Sequence, residues 1–172
     1  IPGHVNYRAI IIDKDLGVGT YVLTIAYEFT KGGKVAFDFL TTNYGITDAN
    51  LQTQLPAWVD PTKISSLVTA GPSTLTFPTD PFTLPPSLGG GTVADRQNVH
   101  DMAFAGFNPR TIKLYGATIT GITQGGHTGF PTSDSETTIA ITFTKTTDDT
   151  WPIIATWGGH LGIGVAPPEG YG

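Results

Sequence analysis

The sequence predicts an all-β fold, a single-domain antiparallel β-sandwich of the jelly-roll or immunoglobulin-like kind. The chain has 172 residues, a usual length for one domain, and 28 of them are threonine, a β-branched residue that favours a pleated surface over a helix. Short runs of alternating apolar and polar residues recur between glycine and proline turns. No helical period longer than two turns stands out, so the pattern favours two packed sheets.

The first clear strands lie on either side of a glycine pair. Alternate residues between positions 21 and 29 are apolar, and a second alternating run begins at position 34. The intervening Gly32-Gly33 predicts a hairpin. We predict a three-residue turn, because that register brings the aromatic residues of the two strands together. The expected pairs are Phe29 with Phe37 and Tyr27 with Phe39.

The rest of the chain predicts further strands separated by loops. Prolines interrupt residues 41–91, where only 63–68 and 73–77 have strand character. The glycine-rich run 85–91 is predicted to be a surface loop. Later strands are predicted at 111–115, 117–122, 137–144 and in the closing segment 153–157.

The N-terminal segment allows two interpretations. Residues 5–12 have strand propensity and end in three consecutive isoleucines, which require burial on both faces. The segment is either an ordinary first strand or a strand donated to the sheet of a neighbouring subunit. We therefore divide the chain into an extended segment, residues 1–13, as a candidate donor strand, and a β-sandwich domain, residues 14–172.

Composition narrows the partners and the compartment. Only 13% of the residues are charged and the net charge is −5, which gives no electrostatic attraction to nucleic acid or to an anionic bilayer. No run of 18 apolar residues occurs, so we expect no membrane insertion. The absence of cysteine excludes disulfides, and the opening Ile1-Pro2-Gly3-His4 is typical of a processed chain. We predict a secreted protein, extracellular or at the cell surface.

The sequence predicts no catalytic site. Histidines at positions 4, 100, 127 and 160 are the natural candidates for acid–base work, but no sequence neighbour gives any of them a convincing partner. Neither a Gly-x-Ser-x-Gly nor a His-Glu-x-x-His spacing occurs. We therefore predict that the protein is not an enzyme.

A first candidate calcium site lies near the N-terminus. Asp13 and Asp15 begin an Asp-x-Asp-x-Gly run of the type found in calcium loops. The remaining ligands of such a loop are missing, so a polar turn before a strand is the alternative.

A second candidate calcium site is the denser polar segment 95–101. Asp95, Asn98 and Asp101 supply oxygen donors, which calcium prefers, and no thiolate is present to favour zinc. The alternative is that Arg96 pairs with Asp95 or Asp101 and that Asn98 caps a turn. Calcium would then have no role at this segment.

Surface aromatics leave a sugar-binding function open. Trp58 and Trp151 lie in polar, proline-containing segments and could stack on sugar rings of surface glycans. The alternative is that each plugs the edge of the sandwich.

Three segments in the last third of the chain carry a family resemblance. They are 111–120, 135–144 and 154–160, the last ending in Thr-Trp-Gly-Gly-His. Together they resemble a domain that recurs in large secreted and surface-anchored bacterial proteins. The resemblance implies an extracellular β-sandwich with a structural or adhesive role. Family members often continue past the Trp-Gly-Gly-His motif into a final strand, which this chain lacks. Either the last strand is removed in maturation, or a neighbouring chain supplies it.

These observations predict a structural subunit of a secreted prokaryotic filament or tube. Copies of the protein would assemble by β-strand addition, with calcium bridging acidic loops at the contacts, as in self-assembling extracellular proteins. The alternative is a monomeric adhesive or carbohydrate-binding β-sandwich module.

Overall fold

The computed structural model describes residues 3–11, 16–57, 59–148 and 152–162. Within these residues the chain forms ten β-strands and three α-helices. The strands are β1 (His4–Ile11), β2 (Gly19–Lys31), β3 (Lys34–Val35), β4 (Phe37–Thr41), β5 (Ser73–Thr76), β6 (Thr111–Tyr115), β7 (Thr118–Gln124), β8 (Thr128–Gly129), β9 (Ser135–Lys145) and β10 (Ile153–Leu161). The helices are α1 (Leu51–Gln54), α2 (Pro61–Ala70) and α3 (Val93–Ala103).

The strands form two antiparallel sheets. The first sheet has the order β1-β10-β6-β5, and β4 also pairs with β10. The second sheet has the order β3-β2-β9-β7, and β8 also pairs with β9. The predicted all-β character is therefore confirmed at the level of a mostly β chain with two antiparallel sheets.

The main hydrophobic core takes side chains from both sheets. Ile139, Ile141 and Phe143 of β9 belong to the same buried cluster as Ile112 and Leu114 of β6. Along β9 these apolar residues alternate with more exposed ones, as the period of a strand requires. The more exposed face of this strand carries Thr138, Thr142 and Thr144.

The prediction of a strand at 63–68 is wrong, because these residues lie in helix α2. The Asp60 carboxylate accepts a hydrogen bond from the Thr62 amide at 2.9 Å, and Pro61 occupies the first helical turn, two features that start helices. Ile64 and Leu67 lie on the buried face, so an i, i+3 helical pair had the appearance of a short strand.

The polar segment 95–101 is also helical rather than a loop. Thr92 and Asp95 form a capping box at the start of α3. The buried face of this helix carries Val93, Arg96, Gln97 and His100. Because most of these buried residues are polar, the sequence lacks the apolar residues at helical spacing that predict an amphipathic helix.

The Gly32-Gly33 hairpin is confirmed, but the predicted three-residue turn is wrong. The loop has two residues, and Lys31 pairs with Lys34. Both glycines have positive φ, +57° and +73°, as a tight turn of the primed type requires. A Cβ on Gly33 would also lie 2.6 Å from the Thr132 carbonyl oxygen. Beyond Val35 the chain leaves β2, so the expected cross-strand aromatic pairs do not form.

The remaining strand predictions agree with the structure. The segments predicted at 73–77, 111–115, 117–122 and 137–144 correspond to β5, β6, β7 and β9. The predicted loop 85–91 contains a short 3₁₀ turn, Pro86–Leu88. In the described part of the chain, no helix has the length and apolar character required to cross a bilayer.

Candidate functional site

The docking site of β1 on β10 is the candidate functional site. The two strands form an unbroken antiparallel ladder of eight register pairs, from His4 opposite His160 to Ile11 opposite Ile153. The Leu161 amide extends the ladder by donating to the Gly3 carbonyl at 2.7 Å. Among the described strands, β1 pairs with β10 alone. Its removal would therefore leave the other strand pairs intact and expose one edge of a central strand.

Both faces of β1 are packed at its C-terminal end. Ala9 and Ile11 contact the main core, whereas Ile10 contacts the second cluster, which lies under α1 and α2. Ile10 and Ile11 are thus partly buried on opposite faces of β1, which agrees in part with the burial that the isoleucine run requires. Ile12 lies outside the described residues. An exposed β1 would present apolar side chains on both faces to water, so this strand requires a sheet to complete.

The middle of the ladder carries an aromatic pair. Tyr7 and Trp157 are register partners, and their rings stack with centroids 5.9 Å apart. They line a cleft of about 280 Å³ together with Phe37 of β4 and Ile25 of β2. Burial raises the pKa of the Tyr7 hydroxyl. Tyr7 therefore joins β1 to both β10 and the cleft between the sheets.

The two glycines of the Trp-Gly-Gly-His motif allow other groups to approach β10 closely. A Cβ on Gly158 would lie 2.5 Å from the Thr41 hydroxyl and 2.6 Å from the Thr42 carbonyl oxygen. A Cβ on Gly159 would lie 2.9 Å from the Phe37 ring. All three distances are shorter than real Cβ contacts, so these positions exclude a side chain.

The chain that follows β4 crosses β10 at Gly158 and holds β1 from the far side. Thr41 pairs with one edge of β10, while β1 lies along the other edge. After the crossing, the Asn43 side-chain amide donates to the Tyr7 carbonyl at 2.9 Å, and the Tyr44 amide donates to the Asn6 side-chain oxygen at 3.0 Å. We call these two hydrogen bonds to β1 the Asn43 clamp. The glycines of the motif leave the space that this segment needs to reach β1.

A buried ion network supports the end of β10. The His160 Nδ1 lies 2.7 Å from Asp38 Oδ1, and Arg96 Nη1 lies 3.7 Å from Asp38 Oδ2. All three side chains are at most 4% exposed. Arg96 also donates to the Leu88 carbonyl at 2.6 Å. Such a network pairs the buried Asp38 carboxylate with the Arg96 guanidinium and the His160 ring, so that the buried carboxylate has partners.

A second histidine group joins β1 to α3. His4 Nε2 lies 2.9 Å from His100 Nε2, and His100 Nδ1 lies 3.0 Å from Asp101. The rings of His4, His100 and His160 have centroids 5.0–5.4 Å apart. Burial lowers the pKa of His100, and the hydrogen bond that its ring donates to the Asp101 carboxylate opposes that shift. The first residue of β1 therefore contacts an imidazole whose pKa is lowered by burial.

Sequence reasoning missed these histidine partners. All four histidines have partners at hydrogen-bond distance, including His127, whose Nε2 lies 2.7 Å from Asp80. The partners are distant in sequence for three of the four, so local spacing carried no signal for those three. His100 is the exception, since its partner Asp101 is the next residue. The His160–Asp38 pair is buried, whereas the His127–Asp80 pair lines a surface pocket together with Phe82.

The structure gives the calcium candidates of α3 separate roles. The Asp95 carboxylate accepts from the Thr92 amide and hydroxyl, both at 2.8 Å, and these bonds lower its pKa. Asn98 is exposed within α3 rather than capping a turn. Asp101 lies 3.2 Å from the Arg110 Nε, so Arg110 takes the place predicted for Arg96.

The described residues contain no group of three or more histidine and acidic side chains placed to hold a metal ion. Asp13 and Asp15 lie outside the described residues, as do the two candidate sugar-stacking residues, Trp58 and Trp151. Calcium and glycan binding therefore stay predictions.

Comparison with family models, with curated proteins and with solved structures finds no match for this chain. The resemblance to the domain of secreted bacterial surface proteins therefore also stays a prediction.

Proposed function

We propose that the protein is a structural subunit of a secreted prokaryotic filament or tube that assembles by β-strand addition. In this proposal the chain is a β-sandwich of the jelly-roll or immunoglobulin-like kind, and β1 of one copy completes the first sheet of the next. The observation that carries the proposal is that the whole ladder of β1 is made with one strand, β10. Catalysis plays no part in it.

Exchange of β1 between copies would recreate every contact that the strand makes within one chain. These include the ladder, the Asn43 clamp on Tyr7, the bond from Arg8 to the Gln54 carbonyl and the contact of His4 with His100. The folded and exchanged forms then differ only in the connection to β2 and in association entropy, as in domain swapping. Because each copy both donates and accepts, the contact is head-to-tail and extends into a filament.

Seven residues connect Ile11 to Gly19, the first residue of β2. Fully extended, they reach at most about 25 Å, which suffices to pass β1 to an adjacent copy. Calcium bridging at this connection remains part of the proposal, since Asp13 and Asp15 lie in it.

One observation favours the alternative of a carbohydrate-binding module. The cleft beside β1 is lined by the stacked rings of Tyr7 and Trp157 and by Phe37, with Glu28 as a hydrogen-bonding group. Aromatic rings beside a carboxylate suit the apolar face and the hydroxyls of a sugar. Assembly and sugar binding are distinguished by whether β1 is found in cis or in trans.

An engineered disulfide tests the strand exchange directly, because the chain has no cysteine of its own. Ala9 and Ala155 are register partners across the β1–β10 ladder, so cysteines at both positions lie within reach of each other. Filaments formed under reducing conditions and then oxidised should give a ladder of covalent oligomers on a non-reducing gel. Monomer oxidised before assembly should be locked in cis and should form no filaments.

A matched control uses the second sheet. Thr24 and Ala140 are register partners on β2 and β9, and the corresponding cysteine pair should link only within one chain. Filaments of the Ala9→Cys, Ala155→Cys variant that contain only intrachain links would exclude exchange of β1. A preparation that stays monomeric at all concentrations would exclude the filament itself.

A further inference from the structure

The two sides of the molecule treat their sheet edges differently. On one side, here called the closed side, β5 and β7 contact each other, and the Ile119 amide donates to the Ser73 hydroxyl at 3.0 Å. On the other side, here called the open side, Tyr7 of β1 and residues 25–28 of β2 line the aromatic cleft. Each side of the molecule therefore has one edge of the first sheet and one edge of the second sheet.

The closed side has features that prevent edge pairing. β5 has only four residues, and the ladder of β7 shifts register between Ile119 and Gly121. Short edge strands, bulges and bonds across the edge are the usual means by which proteins block strand addition. A further strand would find no long, regular edge here.

The open side lacks these features along β2. Residues 19–28 form ten consecutive pairs with β9 without a register shift, while β3 pairs only with Thr30 and Lys31. The Phe29 carbonyl is also occupied, because it accepts from the Ala36 amide at 2.8 Å. Among the described residues, no other strand pairs with residues 19–28. A run of backbone donors and acceptors is thus left on the outer edge of β2.

The side chains of this edge do not discourage pairing. Between residues 19 and 28 there is no lysine, arginine or proline, and Glu28 is the single charged residue. Val22 on the outer face is 61% exposed. Natural edge strands are commonly protected by lysine, proline or a bulge, so this edge is unprotected over about 33 Å.

We propose that the outer edge of β2 pairs antiparallel with the same edge of a second copy. In a two-fold pairing centred on Thr24, Val22 lies opposite Ala26 of the other copy. Thr20 then lies opposite Glu28, so no two like charges face each other across the contact. The inner face then brings apolar residues together, since Leu23 meets Ile25. The edge is self-complementary, which is what an isologous contact requires.

The available area suits a stable contact between two copies. A strip about 33 Å long and about 20 Å wide, the depth of two sheets spaced about 10 Å apart, buries roughly 1,300 Å² over both copies. That value lies in the range of specific interfaces, about 1,200–2,000 Å². β1 contributes mainly through the Tyr7 ring beside the cleft, because the Tyr7 carbonyl already accepts from Asn43.

This contact goes beyond the proposed strand exchange and does not depend on it. Exchange alters which chain supplies β1, but β2 keeps the same free edge in either case. Strand exchange would extend a filament along its length, whereas the β2 edge would join copies laterally. The two contacts can therefore be measured separately.

The test uses the full chain with the substitutions Ala9→Cys and Ala155→Cys. The protein is oxidised before assembly, so that the disulfide holds β1 in cis. We expect this locked protein to form a dimer in analytical ultracentrifugation. Thr24→Lys places a charge on the exposed face of the edge, and it should weaken the dimer at least about tenfold, because two lysines then face each other. Added salt should restore part of the loss.

The matched control is Thr142→Lys, on the same face but on β9, which lies between β2 and β7. It should leave the dimer unchanged, and circular dichroism should show that both variants fold. A locked protein that is monomeric at its highest soluble concentration would overturn the proposal. Equal weakening by the two lysines would also overturn it, since the effect would then come from net charge. Neither outcome bears on strand exchange, which the disulfide ladder tests.

Discussion

The two longest strand ladders of the molecule are held by different means. The β2–β9 ladder rests on alternation, with apolar residues such as Ile25 and Ile141 inward and small polar residues outward. The β1–β10 ladder depends in addition on groups from other parts of the chain, which are the Asn43 clamp, the His100 contact and the Asp38 network. The difference shows that the pattern of apolar and polar residues along each strand is enough to define the second sheet. The edge of the first sheet depends in addition on polar contacts from other parts of the chain.

Removal of the Asp38 charge should produce the largest difference between the two ladders. Asp38→Asn would leave the Arg96 guanidinium buried without its carboxylate and would weaken the bond to His160. Loss of one partner from a buried ion pair costs about 3–5 kcal/mol, so denaturant unfolding should show a loss of that size.

The control for Asp38 lies at the end of the β2–β9 ladder. Glu28 pairs with Lys31 at 3.1 Å, but both side chains are more than half exposed, so Glu28→Gln should cost less than about 1 kcal/mol. If the two substitutions had equal effects, the β1–β10 ladder would not depend on its buried network, and the contrast between the two ladders would fail.

A smaller loss is expected from a methyl group at the crossing on β10. Gly158→Ala would bring a Cβ within 2.6 Å of the Thr42 carbonyl oxygen. Because backbone must then move, and with it the Asn43 clamp, overpacking should cost about 1–3 kcal/mol. Hydrogen exchange should locate the loss in β1, with faster exchange of its amides.

Gly121 of β7 is the matched position in the second sheet. A Cβ there would meet nothing closer than 3.9 Å, so Gly121→Ala should be neutral or slightly stabilising. A Gly158→Ala variant as stable as Gly121→Ala would show that the chain crossing does not constrain the motif.

The sequence predicts most strands because their signal is local. Alternation located β9 and the long part of β2, and the strand predicted at 153–157 forms the first part of β10. Helix α3 was missed because it buries polar residues, so its face carries no hydrophobic period. The turn at Gly32-Gly33 was assigned the wrong length because aromatic pairing was given more weight than the turn geometry that two glycines permit.

The candidate site could be predicted only in part. The isoleucine run indicated a strand that needs a sheet, but its partner was not visible, because residues 4–11 pair with residues 153–160 at the opposite end of the chain. The histidine contacts follow from that register and from the position of α3. The role of Gly158 likewise depends on a segment more than a hundred residues away, which a motif taken alone does not reveal.

The smallest expected effect is a dependence of stability on pH in the β1 ladder. Burial lowers the pKa of His100 in the folded protein, so the unfolded chain takes up a proton first as the pH falls. Stability is then unaffected well above the ordinary histidine pKa of about 6.5 and decreases as the pH falls below it. The groups that face His100 are His4, His160, Tyr44, Asp101 and Arg110.

The measurement is the free energy of unfolding between pH 8 and pH 5 in the wild type and in His100→Gln. The variant removes one titrating group, so its stability should fall less steeply below pH 6.5, whatever its stability at pH 8. Amide exchange should show the wild-type loss first in β1, whose first residue contacts His100, and later in β2. Identical slopes in the two proteins would mean that His100 has the same pKa in the folded and unfolded states. The β1–β10 ladder would then depend only on the Asp38 network and the Asn43 clamp among the distant polar groups.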